Sequence, residues 1–410
     1  MRLTFLGHAS HLVELDGLRI LTDPWLSDPI FGGRVEHAPP LGFGPADLPP
    51  LDALALTHGH LDHFNAPTLA ALPDKALPVV LPVSRFTELE ANLRRLGFTD
   101  LRALRDWDAF ELGSVRVVAT PSPGVLDECA YSIAGRGGHF WNGADAPQPE
   151  FLIDEIARRL GAPDLAALSH NSFDQPTLLG LSSHKPADHA PRSAAETARR
   201  LAAPFALAAA SNMRWRGADG PEVTRRVIRR GAAELARTLA QRAPATRLLD
   251  LAPGDAWSRE GGVERGVLAG TPAPEARHDY LHAFLDTGER HCPPGRPETR
   301  DTFERDLPAR TRRVPEASRY VGQPVCFEIT GGDPGTWTVD FRRPGAKPEP
   351  GDRGAPYAAR LDCEDWKDLF ERRSSWQVLL VSDRLRIPRL EPGAPPSGLH
   401  FAYALQALFP

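Results

Sequence analysis

The sequence predicts an α/β fold followed by a small α+β domain, and three features carry that reading. Short apolar runs joined by turn residues open the chain, strand-like and helix-like segments then alternate to about residue 250, and a second set of strand-like runs follows a charged, Pro- and Arg-rich stretch. A chain of 410 residues exceeds the usual single-domain length. Residues 1–275 are therefore read as one large domain, 276–315 as a linker or irregular excursion, and 316–410 as the small C-terminal domain.

Residues 3–6 (LTFL), 12–15 (LVEL) and 18–22 (LRILT) are separated by Gly7 and by Asp16-Gly17, a pair that favours a hairpin turn. They predict a small antiparallel sheet. After the Pro-rich stretch from Pro24 to Pro50, the run Leu51–Thr57 predicts a buried strand that delivers HGHLDH at its C-terminal end. Pro78–Val83 predicts the next strand, and Ser84 can cap a helix whose Leu89, Leu93 and Leu96 share one face before Gly97 stops it.

Ser114–Thr120, Ala130–Ala134 and Gly138–Asn142 predict three more strands with tight turns. Ser193 and Glu196 form a capping box ahead of a helix ending near Ala203, and Phe205–Ala210 follows as an apolar strand. The stretch Glu222–Arg242 predicts helix. Its Arg225, Arg226, Arg229 and Arg230 form a solvated face, because no aromatic residues are interleaved for base stacking. In the C-terminal domain, Val325–Ile329, Thr336–Phe341 and Trp376–Val381 predict strands, with an amphipathic helix near Cys363–Glu371.

Acidic residues outnumber basic ones, 53 to 48, so the field is weakly negative and nucleic acid is not an expected partner. No apolar run approaches the roughly 18–20 residues needed to cross a bilayer, and the opening MRLTFLGHAS lacks the layout of a secretory signal. A cytoplasmic protein with no membrane partner is expected. Cys129, Cys292, Cys326 and Cys363 are widely spaced, which suits idle thiols better than a disulfide framework or a zinc knuckle.

The chemistry concentrates in Thr57-His58-Gly59-His60-Leu61-Asp62-His63. Alternate residues of an extended segment point the same way, so His58 and His60 can hold one metal while Asp62 and His63, past the turn, address a second. Imidazole and carboxylate suit iron, zinc or manganese alike.

This segment resembles the metallo-β-lactamase superfamily, over roughly residues 1–250. The resemblance implies an αββα sandwich with two metal ions at one edge of its facing sheets. LGHAS and ILTDPW look like those of its ascorbate-phosphate lactonase branch, and imply that Asp23 sits behind the ligands, where a carboxylate would orient a ligating His by accepting its free ring N–H. Asp23 could equally cap the turn before Pro24. The bridging aspartate of the family corresponds to Asp145 in HFWNGAD, where one carboxylate between two cations would offset their repulsion; a surface loop acid is the alternative.

Two departures from the family pattern stand out. TPSPGVLDECAYSI has no His where a ligand is usual, leaving Asp127 or Glu128 to supply the bond. After the strand near residue 210 the chain reads Ala-Ser211-Asn212, so the second site is weaker or ligated differently; His139, His170, His184 and His189 are the nearby substitutes, with His170 favoured because LAALSHN sets it at a strand end. These departures resemble a narrower group, the CMP-N-acetylneuraminate hydroxylases, as do FEITGG and SSWQVLLVSDRLRIPR. That group carries an N-terminal Rieske domain. This chain opens directly on the lactamase-like sheet, so electrons would come from a separate electron-transfer protein.

Three functions follow as expectations. The first is a diiron oxygenase that hydroxylates a polar small molecule. The second is a zinc- or manganese-dependent hydrolase of an ester, lactone or phosphoester, in which Asp62 orients a metal-bound hydroxide and His170 or His184 protonates the leaving group. The third is a non-catalytic metal-binding protein.

Overall fold

The computed structural model describes residues 1–83, 89–122, 127–143, 145, 148–170, 189–210, 212–228, 231–273, 298–382 and 384–390. Among them, those up to 273 form one compact unit and those from 298 a second.

The first unit is built on two facing sheets. One has eight strands in the spatial order Gly262–Glu264, Ala256–Ser258, Arg2–Gly7, Ser10–Leu15, Leu18–Thr22, Ala53–Ala55, Val79–Pro82 and Leu101–Leu104. Its first five strands pair antiparallel, through hairpins except where Arg2–Gly7 meets the distant Ala256–Ser258, and the last four, from Leu18–Thr22 onward, run parallel. The other has seven strands in the order Arg247–Leu249, Phe205–Ala209, Leu165–Ser169, Gly138–Asn142, Cys129–Gly135, Val115–Pro121 and Ala109–Leu112.

Period-two alternation explains why the sheets stack. Ile20, Ala53, Ala55 and Val80 from one sheet and Val117, Tyr131, Ile133, Leu165 and Leu207 from the other share a single core. Leu21, Leu54 and Leu81, equally buried, alternate to the opposite face. The outer face of the seven-stranded sheet, through Trp141, Ala166, Leu168 and Ala206, is covered by Ile153 and Ile156 of helix Glu150–Leu160, Ala194 and Ala198 of helix His189–Leu201, and Leu235 and Leu239 of helix Ala232–Arg242. Those three- and four-residue spacings give each helix one apolar stripe.

Three hydrogen bonds cross between the sheets at one edge. Tyr131 Oη donates to Leu56 O at 3.0 Å, Cys129 N to Thr57 O at 3.0 Å, and Ala210 N to His8 O at 3.0 Å. Buried backbone groups at strand ends need partners. Here each sheet satisfies the other, which fixes the strand tips against one another.

The second unit holds a five-stranded sheet in the order Glu349–Pro350, Gly335–Asp340, Pro324–Thr330, Tyr357–Asp362 and Arg386–Leu390. At its centre the Phe303 ring stacks on Trp337 at 4.4 Å and on Trp366 at 4.5 Å, with interplanar angles of 8° and 6°. Trp366 Nε1 donates to Thr302 Oγ1 at 2.6 Å, so the indole is buried without an unmet donor.

Several local expectations are corrected. Residues 298–313, read as part of an irregular excursion, are helical from Thr299 to Arg313 with a π-turn at Thr302–Asp306, because Phe303 and Leu307 anchor an otherwise charged stretch in the core. Trp376–Val381 is a helix rather than a strand: Ser375 Oγ accepts from Val378 N at 3.2 Å, and a capped start outweighs the β preference of the two valines. Glu222–Arg242 is interrupted, forming helices Gly220–Val227 and Ala232–Arg242. Cys129, Cys326 and Cys363 are buried free thiols, and Cys292 lies outside the described residues.

Truncating the Phe303 ring opens a cavity between two indoles. Phe303→Ala is expected to destabilise the second unit by about 3–5 kcal/mol in denaturant titration followed by tryptophan fluorescence. A loss under about 1 kcal/mol would show that the stack does not organise this core.

Candidate metal centre

The strand tips tied across the sheets are the ones that carry the candidate ligands. The strand Ala53–Ala55 runs on through Thr57 into HGHLDH, and Asn65 then caps helix Ala66–Ala71 by accepting from Thr68 N at 3.0 Å. The strand Gly138–Asn142 leads to Asp145, whose backbone O accepts from Ser169 Oγ at 2.6 Å. Gly143 between them must be glycine: a Cβ there would stand 2.7 Å from the Trp141 ring and 2.9 Å from Ala167 O.

Two groups of donor atoms meet at this edge. His58, His60 and Asp145 form one, and His8, Asp62 and His63 the other, each with ligand atoms within 4.8 Å of one another. Asp145 reaches both, with Oδ1 3.2 Å from His63 Nε2 and Oδ2 3.9 Å from His58 Nε2. His8 Nε2 lies 3.2 Å from Asp62 Oδ2.

Asp23 sets the tautomers. Its Oδ1 accepts from Thr57 N at 2.7 Å and its Oδ2 from Thr57 Oγ1 at 2.9 Å, and the same Oδ2 stands 3.1 Å from His63 Nδ1. Ionised, it is acceptor-only, so His63 donates through Nδ1, and its Nε2 faces Asp145, where it would offer a lone pair once a cation displaced its proton. Thr57 Oγ1 spends its proton on Asp23 and therefore accepts from His58 Nδ1 at 2.9 Å, which leaves His58 Nε2 as the acceptor facing the centre. One buried carboxylate thus aims two imidazoles.

The charges show the same convergence. Burial, and then the imidazoles of His63, His60 and His8, push His58 well below its ordinary value. Burial opposes the charge on His63 too, but Asp145 and Asp23 outweigh it and hold that imidazole well above its ordinary value. Asp62 is held below the usual carboxylate range although burial works against it, because His8 bonds it and His63 lies near; His63 does the same for Asp145. Asp62 Oδ1 and His8 Nδ1 are buried with no hydrogen-bond partner among the described residues. Lone pairs facing one another in a buried cluster are what a divalent cation would satisfy, and four imidazoles with two carboxylates are ordinary ligands for iron, zinc or manganese. With three protein donors per group, coordination positions remain for water or substrate.

The other sequence candidates fall outside both groups. Asp127 lies at a bend before strand Cys129–Gly135 and is not among the clustered donors, and Glu128 accepts from Ser122 Oγ at 2.7 Å. His139 bonds Ser132 Oγ at 2.7 Å, and His189 is exposed at a helix start. His170 is buried at the tip of strand Leu165–Ser169, with Nδ1 3.1 Å from Ala209 O, and burial pushes it down to about 4. His184 lies outside the described residues. The residue that sequence reasoning missed as a donor is His8. Its signal was present in LGHAS, where a glycine before a histidine marks a sharp turn, but only the sheet order puts that turn beside Asp62.

Replacing Asp23 by Asn would set an N–H₂ against the donors it now accepts. Asp23→Asn is expected to weaken metal binding about 10–100-fold in a competition titration with a coloured chelator. Unchanged affinity would remove Asp23 from any orienting role.

Residues 18–209 match the β-lactamase superfamily domain. The 4-amino-L-phenylalanyl-(CmlP-peptidyl-carrier-protein) 3-hydroxylase of Streptomyces venezuelae is 36% identical over 125 residues, which are 29% of this chain and 23% of that protein. Among solved structures, CmlA, a diiron β-hydroxylase from Streptomyces venezuelae, aligns at 21% identity over 62% of this chain and 53% of its own, with a TM-score of 0.45. The isothiocyanate hydrolase from Delia radicum gut bacteria aligns at 18% identity over 63% of this chain and 98% of its own, with a TM-score of 0.48. The matches to curated relatives span about a third of those proteins' lengths or less. The segment that matches the β-lactamase superfamily domain contains His58, His60, Asp62, His63 and Asp145, and the two facing sheets that carry them have the metallo-β-lactamase fold.

Proposed function

We propose that this protein is a dinuclear metal enzyme, and that it uses two irons and O₂ to hydroxylate a polar small metabolite. The observation that supports a dinuclear centre is the position of Asp145, with one carboxylate oxygen toward each donor group, at 3.2 Å from His63 Nε2 and 3.9 Å from His58 Nε2. The oxygenase chemistry is supported by the likeness in sequence to the Streptomyces hydroxylase.

Bound iron would supply the one-electron chemistry toward O₂ that side chains lack. His58, His60 and Asp145 would hold one ion and Asp62 and His63 the other, with Asp145 shared. Asp23 and Thr57 keep the His58 and His63 lone pairs aimed inward. His170, neutral at pH 7, would carry protons at the same edge. One oxygen atom enters a substrate C–H bond and the other leaves as water, with two protons and with two electrons from a separate electron-transfer protein.

A second reading, hydrolysis of an ester, lactone or phosphoester with zinc or manganese, is supported by the nitrogen-rich donor set and by the absence of Asp127 from it. There Asp62 would orient the metal-activated water, and His170, neutral at pH 7, would pass that water's proton to the leaving group.

Protein purified from its native host separates the two. About two irons per chain with O₂ consumed in step with product is expected; zinc with turnover under argon favours hydrolysis, and turnover without metal would overturn both. Asp145→Ala should lower turnover by at least ~100-fold, beyond the range of a residue that only orients a ligand, whereas Arg226→Ala should leave turnover unchanged.

A further inference from the structure

We propose that His8 is the third protein ligand of the second ion, beside Asp62 and His63, so that the turn after the first strand completes the centre. This rests on the dinuclear reading above. His8 Nε2 lies 3.2 Å from Asp62 Oδ2, and the ligand atoms of His8, Asp62 and His63 lie within 4.8 Å of one another. The imidazole is fully buried and its Nδ1 has no hydrogen-bond partner among the described residues. An unmet buried polar atom costs a fold free energy unless something compensates it.

The backbone is bent to bring this side chain inward. Gly7 has φ +110° and His8 has φ +50°, a left-handed turn that disfavours any residue with a Cβ. The turn is then pinned from the opposite sheet, where Ala210 N donates to His8 O at 3.0 Å. Ala210, at the tip of strand Phe205–Ala209, brings only a methyl group to this corner. Without His8 the second ion would have Asp62, His63 and a share of Asp145. With it, each ion has two imidazoles and a share of Asp145, and the second has Asp62 as well. A packing role, with the ring edge-on to Trp25 at 5.3 Å and to His63 at 5.8 Å, is the competing account.

The full chain carrying His8→Gly separates these accounts, because glycine accepts the left-handed turn and the fold survives the loss of the ring. Cobalt(II) titration, followed by visible absorbance and by metal analysis after gel filtration, counts the sites. Two equivalents are expected in the parent protein. In His8→Gly one equivalent stays tight and the second weakens at least ~10-fold, and millimolar imidazole restores it. Two tight equivalents in His8→Gly would overturn the assignment. So would loss of both equivalents, or a loss that imidazole leaves uncorrected. Fewer than two equivalents in the parent protein would instead sink the dinuclear reading on which it stands.

Discussion

Four imidazoles and two carboxylates crowd into a buried edge with too few protons to satisfy them, and the rest of the site is arranged around that deficit. His58 is pushed toward the neutral form and His63 toward the charged one, within a cluster whose ring centroids stand 4.1 Å apart. A buried charge is tolerated only when it is paired. In this cluster the one imidazolium charge of His63 must answer both Asp23 and Asp145. A divalent cation compensates such a cluster better than a proton does, since it takes several lone pairs at once.

Rigidity is what keeps the cluster from relaxing. Every donor sits just past the end of a strand, and the tips are locked by bonds that cross from one sheet to the other, at Leu56, Thr57 and His8. Asp23 works through Thr57, tying the tip of Leu18–Thr22 to the start of HGHLDH before either His is aimed. A carboxylate at that position acts on two ligands through hydrogen bonds, without reaching the ions itself. Among the described residues, the helices on the outer face of the seven-stranded sheet contribute none of the clustered donors, and their small residues Ala194 and Ala198 serve close packing instead.

HGHLDH was legible because its ligands are local, and strand alternation followed by a turn fixes their directions within six residues. Asp145 and Asp23 required the family likeness, because neither lies near that segment in sequence, yet the structure brings both within 3.2 Å of His63. His8 escaped, since nothing in GHAS says which loop it will face until the first strand is placed beside Ala256–Ser258 and Ser10–Leu15. Asp127 was expected near the ions on the strength of a vacant family position, and it belongs to neither of the two donor groups among the described residues. In the second unit the misread segment WQVLLV is a short apolar run whose period cannot separate a buried strand from a buried helix; Ser375 decided it.

The central claim is that Asp145 lies between two metal ions. Anomalous diffraction from crystals of the protein loaded with iron or cobalt tests it most directly. Two peaks a few ångströms apart, one toward His58 and His60 and one toward Asp62 and His63, with the Asp145 carboxylate between them, are the result this account predicts. Metal peaks away from Asp145, or a lone peak that leaves Asp62 and His63 without an ion, would contradict it.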